Sequence, residues 1–323
     1  MKTALRVVGA LVVLLIAIWI LGPREPFDRS RTFDQTALPD DLDAYLAAEE
    51  ARVAGIRPGA EKEIVWAGAA GEKTPLSIVY LHGFSASKQE IRPVPDRLAD
   101  ALGANLYYAR FDGHGAAGEA LGAATSAAWW RDTGEALAIG RRIGERVIVI
   151  GTSTGATLAT IALSDPDVSA NVAGFIGVSP NYQIKGAPLA LLTMPFARQV
   201  LPAILGAERS WEPMNEEHGR WWTTRYPLVA ILPLGAAVKE VQGLDFERIE
   251  TPALFVFNDG DEVVDHAKTR EIAARWGGPL KIANVEPGPD DTPSKHVIAG
   301  DITAPGLTDE VTAILREWVR ETL

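Results

Sequence analysis

The stretch of sequence that decides the fold is RVIVIGTSTGATLATIAL, residues 146–163. Residues 147–150 are all valine or isoleucine, which predicts a short buried β-strand. Residues 156–163 combine small and apolar side chains at a spacing that suits a helix packed on a sheet. The five residues between them, Gly-Thr-Ser-Thr-Gly at 151–155, must therefore turn the chain from the strand directly into the helix.

This Gly-x-Ser-x-Gly segment predicts a sharp turn that lifts the hydroxyl group of Ser153 clear of the backbone. Gly151 and Gly155 fit such a turn because a Cβ at either position would collide with a neighbouring strand or helix. Glycine makes up 30 of the 323 residues. The pattern alone then arises by chance in roughly one chain in ten, so its interpretation depends on the rest of the sequence.

Strands and helices alternate on both sides of this turn. Further strands are predicted over residues 63–66, 76–81, 105–111, 174–178, 253–257 and 280–285. Helices are predicted over residues 40–54, 88–102, 127–143, 154–163, 266–276 and 308–322. Apolar strands separated by amphipathic helices predict an α/β fold with a mostly parallel central sheet and helices on both faces. Residues 183–246 interrupt the alternation and are interpreted as an inserted helical cap.

Three further motifs follow predicted strands. They are His82-Gly83-Phe84, then RFDGHG at residues 110–115, then NDGDEVVD at residues 258–265. Together with Gly-x-Ser-x-Gly, these segments resemble the α/β-hydrolase superfamily, specifically its lid-bearing carboxylesterase and lysophospholipase-like members. The resemblance covers about residues 63–323. It implies the α/β-hydrolase fold and a serine hydrolase that cleaves acyl esters through an acyl-enzyme intermediate.

The resemblance also implies a catalytic triad of Ser153, Asp261 and His296. In this superfamily the nucleophile, the acid and the histidine follow in that order along the chain. Asp261 lies in a segment that is similar to the family's G-x-x-D-x-V-V pattern, with Asp259 and Asp265 as alternatives, and His296 lies on the loop after the last predicted strand. The imidazole would take the proton of the serine, and the carboxylate would hold the imidazole in the correct tautomer.

Two backbone N–H groups are expected to form the oxyanion hole. One belongs to Thr154 at the start of the helix, and the other to Phe84 in the His-Gly-Phe loop. His114, in the 110–115 turn, is expected to be structural. Thr152 stands where a histidine or an aspartate is frequent in the family, and Ala156 replaces a second glycine, so the subfamily stays open.

Composition excludes several classes of protein. The formal net charge of −11 argues against nucleic acid as a partner, because a phosphate backbone would be repelled. The absence of cysteine excludes disulfides and thiolate chemistry. The five histidines have no metal-ligand spacing, so neither a metal nor another cofactor is expected.

The N-terminal 22 residues are expected to form a transmembrane helix. The run from Val7 to Leu21 is uncharged, Arg6 stands near its end, and Gly22-Pro23 would stop the helix. This predicts a single-pass anchor with the catalytic domain outside the cytoplasm. A cleaved signal peptide and a secreted protein are the alternative. Residues 23–62 are interpreted as a linker with a short helix, and residues 63–323 as the hydrolase domain.

The cap is rich in apolar side chains, which would either form the cap's own core or bind an acyl chain. The second interpretation predicts medium or long acyl esters as substrates, such as monoacylglycerols or lysophospholipids. Two other functions stay open at this point. The same triad could transfer an acyl group to an alcohol or thiol acceptor, or the fold could serve as a binding protein without catalysis. The sequence does not decide the oligomeric state.

Overall fold

The computed structural model describes residues 2–30 and 32–323, and a seven-stranded sheet lies at its centre. The strands of this sheet are β1 Glu63–Val65, β2 Thr74–Leu81, β3 Asn105–Tyr108, β4 Gly144–Thr152, β5 Val172–Val178, β8 Ala253–Phe257 and β9 Leu280–Asn284. Two more strands, β6 Glu208–Ser210 and β7 Arg225–Pro227, form a separate antiparallel pair. In space the sheet runs β1-β3-β2-β4-β5-β8-β9. β1 is antiparallel to β3 and the other neighbouring pairs are parallel, which confirms the predicted α/β-hydrolase sheet.

Helices pack on both faces of this sheet. The helices are α1 Lys2–Leu21, α2 Leu42–Glu50, α3 Val94–Leu102, α4 Gly118–Ala123, α5 Ser126–Ile143, α6 Thr154–Leu163, α7 Leu189–Leu192, α8 Ala197–Leu205, α9 Glu216–Trp221, α10 Ile231–Gln242, α11 His266–Ala274 and α12 Thr308–Thr322. Residues of α5, α6, α10 and α11 enter the apolar core on one face. Residues of α3 and α12 enter the core on the other face.

The strands divide their side chains between these two cores by simple alternation. In β2, Val79 and Leu81 belong to one core, whereas Ile78 and Tyr80 belong to the other. Successive side chains of a strand point to opposite faces of a sheet. A strand that is covered on both faces is therefore apolar throughout, which is why the short apolar runs in the sequence were recognisable as strands.

Prediction and structure agree most closely in the regular elements. β8, α6 and α12 have the predicted bounds. The helix predicted over residues 88–102 begins only at Val94, because Pro93 lacks an N–H group and disfavours helical backbone at the preceding residue. The prediction missed the short helix α4 and the β6–β7 pair.

The segment between β5 and β8 contains α7 to α10 and the β6–β7 pair. Part of it forms a small core of its own, built from Leu192, Ala197, Leu201, Leu228 and Leu232. Other apolar side chains of the same segment are exposed, namely Leu191, Phe196, Ile204 and Leu205. Some of the apolar residues noted in the sequence therefore form the core of this segment, whereas others lie at the surface.

The N-terminal helix α1 lies where a helix was predicted. Within residues 2–30 and 32–323, however, no helix has both the length and the apolar character that crossing a membrane requires. The transmembrane anchor predicted for residues 1–22 is therefore not supported, nor is the single-pass localisation that depends on it.

Candidate active site

Ser153 lies at the turn between β4 and α6, at the carboxyl edge of the sheet. Its backbone angles are φ 50° and ψ −112°, a region that residues other than glycine rarely occupy and that costs on the order of 1–3 kcal/mol. The amide of Ser153 donates to the carbonyl of Val178 at 2.9 Å, and the carbonyl of Ser153 accepts from the amide of Asn181 at 3.2 Å. Neighbouring backbone therefore holds the serine in its strained conformation.

The two glycines of the turn are required by close backbone approach. A Cβ on Gly151 would lie 2.6 Å from the amide nitrogen of Ala156. A Cβ on Gly155 would collide with the carbonyl oxygen of Leu81 at the end of β2. The structure therefore supports the physical reason for which Gly151 and Gly155 were singled out in the sequence.

The structure brings Ser153, His296 and Asp261 together, although they are far apart in the sequence. Nε2 of His296 lies 3.0 Å from Oγ of Ser153. Nδ1 of His296 lies 2.7 Å from Oδ2 of Asp261. Since an ionised carboxylate can only accept a hydrogen bond, Nδ1 carries the proton and Nε2 turns a lone pair toward the serine. All three residues are buried, with exposed fractions of 6%, 7% and 1% for Ser153, His296 and Asp261.

The turn after β8 explains why Asp261, and not a neighbouring aspartate, reaches the histidine. The other carboxylate oxygen of Asp261, Oδ1, accepts from the amides of Val263 at 2.7 Å and Val264 at 2.9 Å. Asp259 instead binds Arg270 at the surface. Asp265 accepts from the amide of Ala267 at the start of α11. The two alternatives are thus engaged elsewhere.

The two backbone N–H groups expected in the oxyanion hole are those of Thr154 and Phe84. Thr154 is the first residue of α6, so its N–H belongs to the positive end of the helix dipole. Phe84 follows β2 in the His-Gly-Phe loop. In the part of the chain that the structure describes, neither N–H donates to a protein acceptor. Both are free to bind a developing negative charge.

His82 fixes the orientation of the peptide that carries the Phe84 N–H. Nε2 of His82 accepts from the amide of Phe111 at 3.2 Å, so Nδ1 carries the proton and donates to the carbonyl of Gly83 at 2.8 Å. Burial lowers the pKa of His82 to about 4, which keeps the imidazole neutral. In a trans peptide the C=O and the next N–H point in opposite directions. Holding the Gly83 carbonyl therefore sets the direction of the Phe84 N–H.

A second group beneath the same loop was missed by sequence reasoning. The amide of Gly83 donates to Oε2 of Glu90 at 2.7 Å, and the hydroxyl of Tyr80 donates to the same oxygen at 2.8 Å. Glu90 is only 2% exposed. No motif in the sequence indicated this role. Glu90 is a glutamate eight residues after His82, and nothing else distinguishes it.

The turn at residues 110–115 packs against His82 through the ring of His114. The guanidinium group of Arg110 binds both carboxylate oxygens of Glu50 at 2.7 and 2.8 Å, and both residues are buried. The ring of His114 lies 4.8 Å from that of His82, and burial holds its pKa well below the usual value. The rings of His114 and Phe84 lie 5.9 Å apart, so His114 packs against the loop that carries the Phe84 N–H. Among the residues that the structure describes, no group of three or more His, Asp or Glu side chains could hold a metal ion.

The segment between β5 and β8 packs against the loop that carries the Phe84 N–H. The amide of Thr223 donates to the carbonyl of Ser85 at 2.7 Å, and the rings of Phe84 and Tyr226 meet edge to face at 5.4 Å. Trp222 packs in a cluster that includes Ala86 and extends to Val297, the residue after His296. An apolar, aromatic wall therefore adjoins both the loop that carries Phe84 and the loop that carries His296.

Solved structures with a similar fold include several lipolytic enzymes. One is described by "LipS and LipT, two metagenome-derived lipolytic enzymes", with 19% identity, a TM-score of 0.64, and coverage of 82% of this chain and 99% of that one. A monoacylglycerol lipase of Paleococcus ferrophilus is 15% identical with a TM-score of 0.56, over 81% and 98% of the two chains. A monoglyceride lipase of Saccharomyces cerevisiae is 12% identical with a TM-score of 0.54, over 81% and 91%. At these identities the similarity establishes the fold.

No curated protein sequence matches this chain. A family model, however, matches residues 73–288, which include β2 to β9 and two of the three residues at the site, Ser153 and Asp261. That stretch is about two thirds of the sequence. The chain therefore belongs to the α/β-hydrolase family described as serine aminopeptidase, S33, or Hydrolase_4.

Proposed function

We propose that this protein is a serine hydrolase that cleaves carboxylic esters through an acyl-enzyme intermediate. The observation that carries the proposal is the unbroken series of hydrogen bonds from Ser153 through His296 to Asp261. A serine hydroxyl is a weak nucleophile unless an adjacent base takes its proton, and this arrangement supplies that base in the required tautomer.

The proposed reaction has two halves. In the first, Oγ of Ser153 attacks the carbonyl carbon of the ester while Nε2 of His296 accepts the hydroxyl proton. The carbonyl oxygen becomes an oxyanion that accepts hydrogen bonds from the N–H groups of Phe84 and Thr154. His296 then donates its proton to the departing alcohol. In the second half, water takes the place of the alcohol and attacks the acyl carbon while His296 accepts a proton from it. His296 then returns that proton to Oγ of Ser153 as the carboxylic acid leaves.

We infer that the acyl group is apolar and of medium or long chain. The wall next to the site is formed by aromatic and aliphatic side chains such as Tyr226 and Trp222, which favour burial of hydrocarbon. The similar structures include enzymes described as lipolytic or as monoacylglycerol lipases. These neighbours support an ester rather than a peptide, although the family's description names an aminopeptidase.

A chain-length series tests this proposal. The full chain is assayed on p-nitrophenyl acetate, butanoate and octanoate, and on an aminoacyl p-nitroanilide. We expect ester turnover that rises from acetate to octanoate and is abolished in Ser153→Ala. The matched control is Ser169→Ala, since that serine lies after α6 and away from the site. Turnover of the anilide without ester turnover would contradict the proposal, and a steep fall beyond butanoate would contradict the inferred chain length.

A further inference from the structure

Glu90 is a buried carboxyl group next to the proposed site. It takes no part in the proposed reaction. It lies between β2 and α3 and is only 2% exposed. Removing a carboxyl group from water is unfavourable unless the group is hydrogen-bonded. Its oxygen Oε2 accepts from the amide of Gly83 at 2.7 Å and from the hydroxyl of Tyr80 at 2.8 Å. The contacts of Glu90 are thus made to the loop that carries the Phe84 N–H.

The same network reaches the end of β4, next to the nucleophile. The hydroxyl oxygen of Tyr80 lies 3.1 Å from Oγ1 of Thr152, the residue that precedes the nucleophile. If the Thr152 hydroxyl donates to Tyr80, and Tyr80 donates to Glu90, each of these polar groups is satisfied. One carboxyl group therefore connects the end of β4 to the loop after β2.

The carboxyl group of Glu90 lies directly against Gly83, so a side chain at position 83 would displace it. A Cβ on Gly83 would lie 2.5 Å from Oε1 of Glu90. Gly83 is thus held at two atoms, with its N–H bound to Glu90 and its C=O bound to His82. Two fixed hydrogen bonds on successive peptides remove the rotation that would turn the Phe84 N–H away from the substrate.

We propose that Glu90 is a positioning residue for the oxyanion hole, acting through its hydrogen bonds to Gly83 and Tyr80. This inference rests on the proposed function. An oxyanion donor stabilises the transition state more than the ground state, so a displaced donor lowers kcat and leaves KM nearly unchanged.

The required property of Glu90 is an acceptor at the correct distance, and not its charge. Burial raises the pKa of Glu90 to about 7, so the neutral acid is well populated near neutrality. A carboxyl group accepts a hydrogen bond through an oxygen in either form. A neutral acid also avoids repelling the negative charge that develops on the substrate.

Two conservative substitutions separate these properties. Glu90→Gln keeps the length and the acceptor oxygen and removes the charge. Glu90→Asp keeps the charge and withdraws the acceptor by one methylene group. We expect Glu90→Gln to retain kcat within about threefold, and Glu90→Asp and Glu90→Ala to lose about ten- to a hundredfold in kcat at nearly constant KM. The assay measures turnover of p-nitrophenyl butanoate by the full chain, together with its melting temperature.

The matched control is Glu135→Gln, a change at another buried glutamate, which binds Lys62 and Tyr45. We expect it to lower the melting temperature with kcat unchanged. Wild-type kcat in Glu90→Asp, or a larger loss in Glu90→Gln than in Glu90→Asp, would overturn the role proposed for Glu90. If Glu90→Ala does not fold, the comparison of the other two variants still decides. A wild-type chain without ester turnover would instead contradict the proposed function itself.

Discussion

Ser153 has a strained backbone conformation, which hydrogen bonds to the backbone of Val178 and Asn181 hold in place. His296 and Asp261 approach it from separate loops. Each of these three residues was expected from the resemblance to the α/β-hydrolase superfamily and from its position after a predicted strand. The residues that orient the site were not expected in that role. His82 was recognised only as part of a motif, and Glu90 lies in a polar segment with no pattern that would distinguish it. Their roles depend on distances between loops, which a sequence does not contain.

We expect Asp261→Asn to have a strong effect on turnover. The asparagine amide would donate to Nδ1 of His296 and so favour the tautomer with its proton on Nε2, facing Ser153. We expect kcat to fall by about 10⁴-fold, with the fold retained, as measured by ester turnover and circular dichroism. Asp259→Asn is the control, because Asp259 binds Arg270 at the surface and its loss leaves the histidine unaffected. A kcat of Asp261→Asn within tenfold of wild type would exclude this role.

At the element scale, the site depends on how closely β2, β4 and α6 approach one another. Strands β2 and β4 were predictable, because each contains an apolar run buried on both faces of the sheet. The short helix α4 and the β6–β7 pair were not, because they are held by contacts with distant parts of the chain. A Cβ on Gly118 of α4, for example, would lie 3.0 Å from the Cα of Tyr226 in β7.

This close approach predicts that Gly155→Ala damages both stability and activity. The new methyl group would collide with backbone carbonyl oxygens at the end of β2, and backbone cannot move aside as a flexible side chain can. We expect a loss of about 1–3 kcal/mol in the free energy of unfolding, measured by urea denaturation, and a large loss of kcat. In Gly68→Ala, the added methyl group would contact only the Glu72 carboxylate, at 3.7 Å. If Gly155→Ala were as stable and as active as Gly68→Ala, close backbone packing would not be what requires glycine at position 155.

At the scale of the whole molecule, one sheet carries two cores and brings distant loops to one edge. The predicted fold class was correct because alternation of strands and helices is a property of the whole sequence. The predicted membrane anchor was not supported, since in the described part of the chain no helix is long and apolar enough.

The buried imidazole of His82 makes the stability of the whole molecule depend on pH. Its pKa is about 4 in the folded protein and about 6.5 when unfolded. Between these values the unfolded chain binds more protons, so stability is lost as the pH falls from about 6.5 to 4. The loss is on the order of 3 kcal/mol. Glu90 and Asp132, whose pKa values burial raises to about 7, contribute with the opposite sign, since they destabilise the fold as the pH rises.

A comparison with His82→Gln isolates the contribution of the histidine. The variant lacks the titrating group, whereas the carboxyl groups titrate in both proteins. Urea denaturation at pH 7 and pH 4 gives the difference in unfolding free energy between wild type and variant. We expect the advantage of wild type to shrink by a few kcal/mol at pH 4. A difference that stays constant with pH would show that His82 does not change its protonation on unfolding.

The central claim is that Ser153 becomes acylated with His296 as its base. The most direct measurement is mass spectrometry of the full chain after brief reaction with p-nitrophenyl butanoate and acid quenching. We expect one butanoyl group, located on the peptide that contains Ser153, absent in Ser153→Ala and strongly reduced in His296→Ala. Ester turnover with the butanoyl group on another residue, or undiminished acylation in His296→Ala, would contradict this claim.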